Sequence, residues 1–272
     1  MGRGIETKMA RIYAIANQKG GVGKTTTVVN LSGYLAGSGR RVLVVDLDAQ
    51  ANATSALGFA KNQMHPSTYE LLLDQLPVSD VRRHHDEFQL DLLPSHPSLA
   101  AAEIELVHVI GREYRLRKAL EDIESEYDYI LIDSPPSLGL LTINALTAAR
   151  DGVLIPVQCE YLPLEGLTQL TETIHLVQEY LNPSLRIRGV MMTMYDSRTN
   201  LSRQVVEEVR RHFPNKVFRT IIPRNIRLSE APSFGRPINH YSPQSPGAVA
   251  YKLLTTELLN GDRRNGGDDH AG

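Results

Sequence analysis

The chain has 272 residues, 42% of them hydrophobic, enough to bury a core of its own and suited to a single domain. Twenty-nine Lys and Arg against 31 Asp and Glu leave a net charge of -2, so any attraction to nucleic acid must come from a local patch. The single cysteine, Cys159, rules out a disulfide framework and a multi-thiolate cluster, and no apolar run approaches the ~20 residues of a membrane span.

In chain order, Met1 to Lys8 is polar, which argues against a signal peptide and for a cytoplasmic protein. Residues 1–9 read as a flexible leader, 10–260 as one domain and the glycine-rich stretch 261–272 as a disordered tail. Strands are expected at Arg11–Ala16, Arg41–Asp46, Leu90–Leu93, Tyr129–Asp133, Gly152–Val157 and Ile187–Met192. Several are apolar at consecutive positions, as strands covered on both faces should be. Helical patterns fill the gaps at Thr25–Ala36, Pro97–Val109, Glu113–Ser125, Leu140–Ala149, Pro163–Tyr180, Leu201–His212 and Pro246–Leu259. This alternation predicts an α/β fold, a doubly wound and mostly parallel sheet flanked by helices, with ligand at the carboxyl ends of the strands. Cys159 ends an apolar run and reads as a buried thiol. His65, His84, His85, His96 and His108 show no metal spacing.

Between the first strand and the first helix lies Asn17-Gln18-Lys19-Gly20-Gly21-Val22-Gly23-Lys24-Thr25-Thr26. Glycines let successive N–H groups turn inward on an anion, and the following helix adds its positive end. Lys24 then serves the β/γ-phosphates and the Thr25 hydroxyl is placed for Mg²⁺. Asp46 and Asp48 close the second strand, beside such a phosphate site. An apolar strand ending in Asp133 suits a Mg²⁺ support, and Pro135-Pro136-Ser137-Leu138-Gly139 follows it with few backbone donors.

An ordinary P-loop carries glycine where this chain has Gln18, and a second lysine, Lys19, sits inside the loop. Lys19-Gly20-Gly21-Val22-Gly23-Lys24-Thr25-Thr26 therefore resembles the deviant Walker A motif of the ParA/MinD ATPases. Ile222 to Gly235 and Met194 to Leu201 resemble segments of the ParA/Soj-type chromosome or plasmid partition branch. The resemblance runs from about Ala10 to Leu259. It implies ATP and Mg²⁺ as cofactors, with Lys19 through Thr26 binding ATP and Pro223 and Asn225 at the adenine. Thr25, Asp133 and Asp48 would hold Mg²⁺. Asp48 would position or activate the attacking water, and Lys19 would reach across a dimer interface to the partner's nucleotide. Relatives usually carry proline and glycine where this chain has Ala49 and Ala51, which bears on the geometry of the switch.

The resemblance further implies an ATP-bound sandwich dimer that binds nucleoid DNA nonspecifically. A ParB/Spo0J-type centromere-binding partner would stimulate slow hydrolysis and release it. From Arg186 to Arg236 eleven Lys and Arg face four Asp and Glu, a composition that suits phosphate contacts. In the family, Arg198 and Arg227 fall where arginines grip DNA; Arg224, Lys216 and Arg219 are assigned with them. A MinD-type membrane-cycling ATPase is the alternative, but it needs a C-terminal amphipathic anchor where this chain is polar. A nitrogenase-type reductase would need cysteines, and an amide-forming synthase of the superfamily would depend on a small acid substrate.

Overall fold

The computed structural model describes residues 9–160 and 164–265. Eight strands form one sheet: β1 (Arg11–Ile15), β2 (Val42–Asp46), β3 (Arg83–His85), β4 (Leu90–Leu93), β5 (Tyr129–Asp133), β6 (Gly152–Gln158), β7 (Ile187–Tyr195) and β8 (Val217–Pro223). Their order is β3-β4-β2-β5-β1-β6-β7-β8, parallel throughout except for the β3–β4 hairpin. The helices are α1 (Lys24–Gly37), α2 (Asn52–Ala56), α3 (Thr68–Leu73), α4 (Val78–Val81), α5 (Leu99–Glu105), α6 (Arg115–Glu121), α7 (Leu140–Ala148), α8 (Leu164–Tyr180), α9 (Asn200–His212), α10 (Ile226–Glu230), α11 (Ile238–Tyr241) and α12 (Pro246–Asn265).

Because side chains alternate across a strand, each apolar strand feeds two cores. Ile12, Ala14, Leu43, Val45, Ile130 and Ile132 pack with α6, α7, α8 and α9 on one face. Tyr13, Ile15, Val44, Leu131 and Leu154 pack with α1 and α12 on the other. β2 and β5 are buried at every position, which is why they read as continuous apolar runs. The direction of winding reverses around β1, between β5 and β6, and that opens the crevice where a ligand sits in such sheets.

Besides the short helices α2, α3, α4, α10 and α11, which no expected helix covers, the structure departs from the sequence reading in four places. β8 was not expected, because Val217 to Pro223 lies at an edge, alternates in burial and includes exposed Arg219. The hairpin strand β3 is three residues long and carries no apolar signal. The expected helices Pro97–Val109 and Glu113–Ser125 shorten to α5 and α6, flanked by 3-10 turns. Finally, the tail does not begin at Gly261: α12 continues to Asn265, and Asp262 is 3% exposed. Its carboxylate accepts from Tyr13 Oη at 2.7 Å, Tyr129 Oη at 2.9 Å and the Arg188 guanidinium at 3.0 and 3.1 Å, tying the helix end to β1, β5 and β7. Pro163, residues 1–8 and residues 266–272 lie outside the described residues.

Both sheet edges are short of free donors. Glu257 of α12 accepts from the Arg219 and Thr220 amides of β8 at 2.8 and 3.0 Å and from Thr220 Oγ1 at 2.9 Å. The opposite edge is the brief, charged Arg83-His84-His85 segment.

Candidate functional site

The glycine loop hangs between the ends of β1 and α1 and is pinned from two neighbouring strands. Asn17 Nδ2 donates to Pro156 O of β6 at 2.7 Å while its Oδ1 accepts from the Lys19 amide at 3.0 Å. Thr193 Oγ1 of β7 donates to Val22 O at 2.9 Å. Gly21 and Gly23 take left-handed φ values of 73° and 92°, which a side chain would strain, and Gly23 caps α1. Gly20 lies against Pro136, so the loop and the turn after β5 adjoin. Lys24 folds back and Nζ donates to Lys19 O at 3.1 Å. Burial lowers its pKa, while Asp133 and Asp48 raise it, as suits a cation waiting over an anion cradle. Lys19 itself is exposed.

Three carboxylates converge beside that cradle because β2 and β5 are neighbours in register, with Asp46 opposite Asp133. Thr25 Oγ1 donates to Asp133 Oδ2 at 2.7 Å, but the buried Asp133 Oδ1 has no hydrogen-bond partner. Burial first and Asp46 second push the Asp133 carboxyl well above the usual carboxylate range. Asp46 is pushed up to about 6 by burial, against hydrogen bonds from Thr54 and the Asp48 amide. Asp46 organises the following loop: Oδ2 accepts from Thr54 N and Oγ1 at 2.8 and 2.7 Å, and Oδ1 from the Asp48 amide at 3.1 Å. Asp48 accepts from the Gln50 amide at 3.0 Å, and its carbonyl takes Ser95 Oγ at 2.7 Å. Ser95 and Thr54 escape sequence reading, the one signal being that Ser95 follows the carboxyl end of β4. Ala51 occupies φ 50°, ψ 43°, a left-handed conformation natural to glycine.

An orphaned buried carboxylate oxygen beside a threonine hydroxyl fits a hard divalent cation with oxygen ligands. Among the described residues no three His, Cys, Asp or Glu side chains form a dedicated metal cluster. Mg²⁺ that keeps waters and phosphate oxygens needs only one or two protein ligands.

On the other side of the loop a cavity of about 640 Å³ is lined by Gly23, Thr26, Met194, Pro223, Asn225 and Tyr251. Pro223 closes β8 opposite Tyr195. Asn225 caps α10, its Oδ1 accepting from the Arg227 amide at 3.0 Å.

The five basic residues expected on one DNA face do not lie together. Arg198, Arg224 and Arg227 are at the carboxyl end of the sheet, each held by an acid. Arg198 forks onto Asp196 at 2.7 and 2.9 Å and pulls that carboxyl down to about 2. Arg224 pairs with Glu160, and Arg227 with Glu230 at 2.8 Å. Lys216 and Arg219 sit at the start of β8 and line a separate groove with Arg264. A seven-residue strand spans ~20 Å, so β8 itself separates the two sets.

A strand, a glycine cradle and a helix in an open parallel sheet, with acids at the adjoining strand ends, define a P-loop NTPase, and a family model described as an AAA domain matches residues 10–187. The sporulation initiation inhibitor protein Soj of Bacillus subtilis is 57% identical over 92% of this chain and 98% of its own length. The chromosome partitioning protein ParA of Myxococcus xanthus is 53% identical over 93% and 89%. The chain belongs to the ParA/Soj family of chromosome-partitioning proteins. Among solved structures, the cobyrinic acid a,c-diamide synthase of Mycobacterium smegmatis, with ADP and magnesium bound, superposes with a TM-score of 0.82. It is 41% identical and covers 92% of this chain and 94% of its own.

Proposed function

We propose that the chain is an ATP-dependent DNA-segregation protein. The observation that carries this reading is the Lys24, Thr25 and Asp133 constellation beside a pinned glycine loop, with Asp133 Oδ1 left for a cation. Lys24 and the loop amides hold the β- and γ-phosphates, Thr25 and Asp133 hold Mg²⁺, and Asp48 orients a water in line with the γ-phosphate. Bound Mg²⁺ supplies charge neutralisation on the oxygens being separated. Pro223 and Asn225 flank the adenine in the large cavity. Lys19 extends to the nucleotide of a second copy, so ATP binding and dimerisation are one event. The dimer holds duplex DNA without sequence preference through Arg198, Arg224 and Arg227, and slow hydrolysis, stimulated by a ParB/Spo0J-type partner, releases it. The protein then works on the nucleoid in the cytoplasm, as a timed switch.

The test is binding to random-sequence duplex DNA with ATP, with ADP and without nucleotide, for wild type and Arg227→Ala at two salt concentrations. ATP-dependent binding that weakens with salt and is lost in the variant supports the reading. No ATP-dependent binding at low salt refutes it. ATP turnover that then depends on a small carboxylic acid would point to amide synthesis, the activity named for the Mycobacterium smegmatis protein.

A further inference from the structure

Just past the carboxyl ends of β2 and β4, four buried residues close a ring of hydrogen bonds around the loop that carries Asp48. Asp46 Oδ1 accepts from the Asp48 amide at 3.1 Å, and Asp46 Oδ2 accepts from Thr54 Oγ1 at 2.7 Å. Thr54 Oγ1, its proton spent, accepts from the Ser95 amide at 3.0 Å. Ser95 Oγ completes the ring by donating to Asp48 O at 2.7 Å. Asp46, Thr54 and Ser95 are fully buried and Asp48 is 8% exposed, so no member exchanges these bonds freely with water. Asp46, Asp48 and Thr54 belong to one continuous segment. Ser95 comes from the neighbouring strand, two residues past Leu93, which pairs with Val45.

The ring grips Asp48 on both of its peptide groups, the amide through Asp46 and the carbonyl through Ser95. The Gln50 amide caps its Oδ1 at 3.0 Å, and among the described residues nothing donates to Oδ2. A carboxylate with its backbone fixed, one oxygen capped and the other open presents that oxygen in one direction, as the orienting of a water requires. The Ala51 amide also donates to Asp48 O, at 2.8 Å, but this bond closes a turn inside the loop and travels with it. Only Ser95 ties that carbonyl to the sheet. We propose that Ser95 is a positioning residue for ATP hydrolysis: its hydroxyl anchors the Asp48 peptide to the end of β4 and so aims Oδ2 at the attacking water. The inference rests on the hydrolysis step of the function proposed above and deepens it, since a residue that sets the hydrolysis rate also sets how long the ATP-bound state lasts.

The experiment measures kcat, KM, Mg²⁺–ATP affinity and thermal midpoint for the full chain as wild type, Ser95→Ala, Ser95→Thr, Asp48→Asn and the Ser95→Ala/Asp48→Asn pair. Ser95→Ala keeps the Ser95 amide on Thr54 and the Ala51 amide on Asp48 O, so the loop still closes. Its kcat should fall ~10–100-fold, the cost of misplacing a reacting group by ~1 Å, while KM and affinity stay within about twofold of wild type. Ser95→Thr, which keeps the hydroxyl, should recover most of the rate. In the Asp48→Asn background the same substitution should change the residual single-turnover rate by less than about twofold, because Ser95 acts through that carboxylate. A Ser95→Ala variant with wild-type kcat overturns the proposal. So does a loss of affinity in step with kcat, or an equal rate factor in both backgrounds, either of which marks a merely structural serine. Wild type that hydrolyses ATP but shows no ATP-dependent DNA binding removes the segregation reading and leaves the assignment of Ser95 standing. ATP-dependent DNA binding with a normal Ser95→Ala rate does the reverse.

Discussion

Replacing Asp262 with alanine removes the carboxylate that joins α12 to three strands. Four donors lose their acceptor: the Tyr13 and Tyr129 hydroxyls and two nitrogens of Arg188, whose side chain is only 12% exposed. Breaking one partner of a buried ion pair costs ~3–5 kcal/mol, because the remaining charge is left uncompensated. Each orphaned hydroxyl alone would cost ~1–3 kcal/mol, but these terms overlap and do not add. Arg188 also keeps a bond to Leu258 O at 3.1 Å. A net loss of about 4 kcal/mol is a large share of the ~5–15 kcal/mol that holds a typical domain together. At ~2–4 °C per kcal/mol for a chain of this size class, the midpoint should drop by about 8–16 °C in calorimetry or far-ultraviolet circular dichroism. Asp262→Asn, which keeps one acceptor, should fall between, and truncation after Asn260 should behave like the alanine variant. A drop below about 2 °C for both Asp262→Ala and the truncation would refute the reasoning, since it would mean that the helix end carries no such linkage.

Three further outcomes follow from the same geometry. Burial and Asp262 raise the pKa of Tyr13 and Tyr129 above the phenol value of 10.0, so their contribution is present below pH 10 and is lost as pH rises beyond it. Urea unfolding of the wild type should therefore weaken steeply above that pH, and Tyr13→Phe/Tyr129→Phe should show a flatter dependence. Ala51→Gly should stabilise by ~0.5–1 kcal/mol in urea unfolding. It relieves ~1–2 kcal/mol of left-handed strain and gives back part through glycine's extra freedom when unfolded; a lower midpoint would contradict the assigned backbone. Mg²⁺ with ATP at about 100 times its dissociation constant should add ~2.7 kcal/mol of stability. The increment should be larger at pH 8 than at pH 5.5, because the raised Asp46 and Asp133 carboxyls hold protons that the cation must displace, and Asp133→Asn should lose most of it.

The site's phosphate cradle and acidic strand ends are legible in sequence because each is a local pattern: a glycine run after one apolar strand, an aspartate at the end of another. Asp46 opposite Asp133 follows once the strands are known to be parallel neighbours. What sequence hides is partnership at a distance. Asp262 looks like part of a polar tail until Tyr13, 249 residues away, donates to it. Ser95 reaches the Asp48 carbonyl from 47 residues away, marked only by its place just after the carboxyl end of β4. The arginine count from Arg186 to Arg236 misleads for the same reason. Arg224 is neutralised by Glu160, 64 residues earlier, outside the counted window. Composition also cannot register that the remainder of β8 lies between Arg219 and Arg224 and sets them ~16 Å apart along the strand.

Sealing of the sheet's margins restricts how copies of this chain can meet. One outer strand has two of its amides occupied by Glu257, and the other is three residues long with an arginine and two histidines. Both margins are thereby blunted as templates for a further strand, the route by which open sheets polymerise or aggregate. The dimer proposed above would then meet through surfaces built from loops and helix ends. Such contacts can be broken by the chemistry they enclose, whereas a continuous ladder of backbone hydrogen bonds could not be.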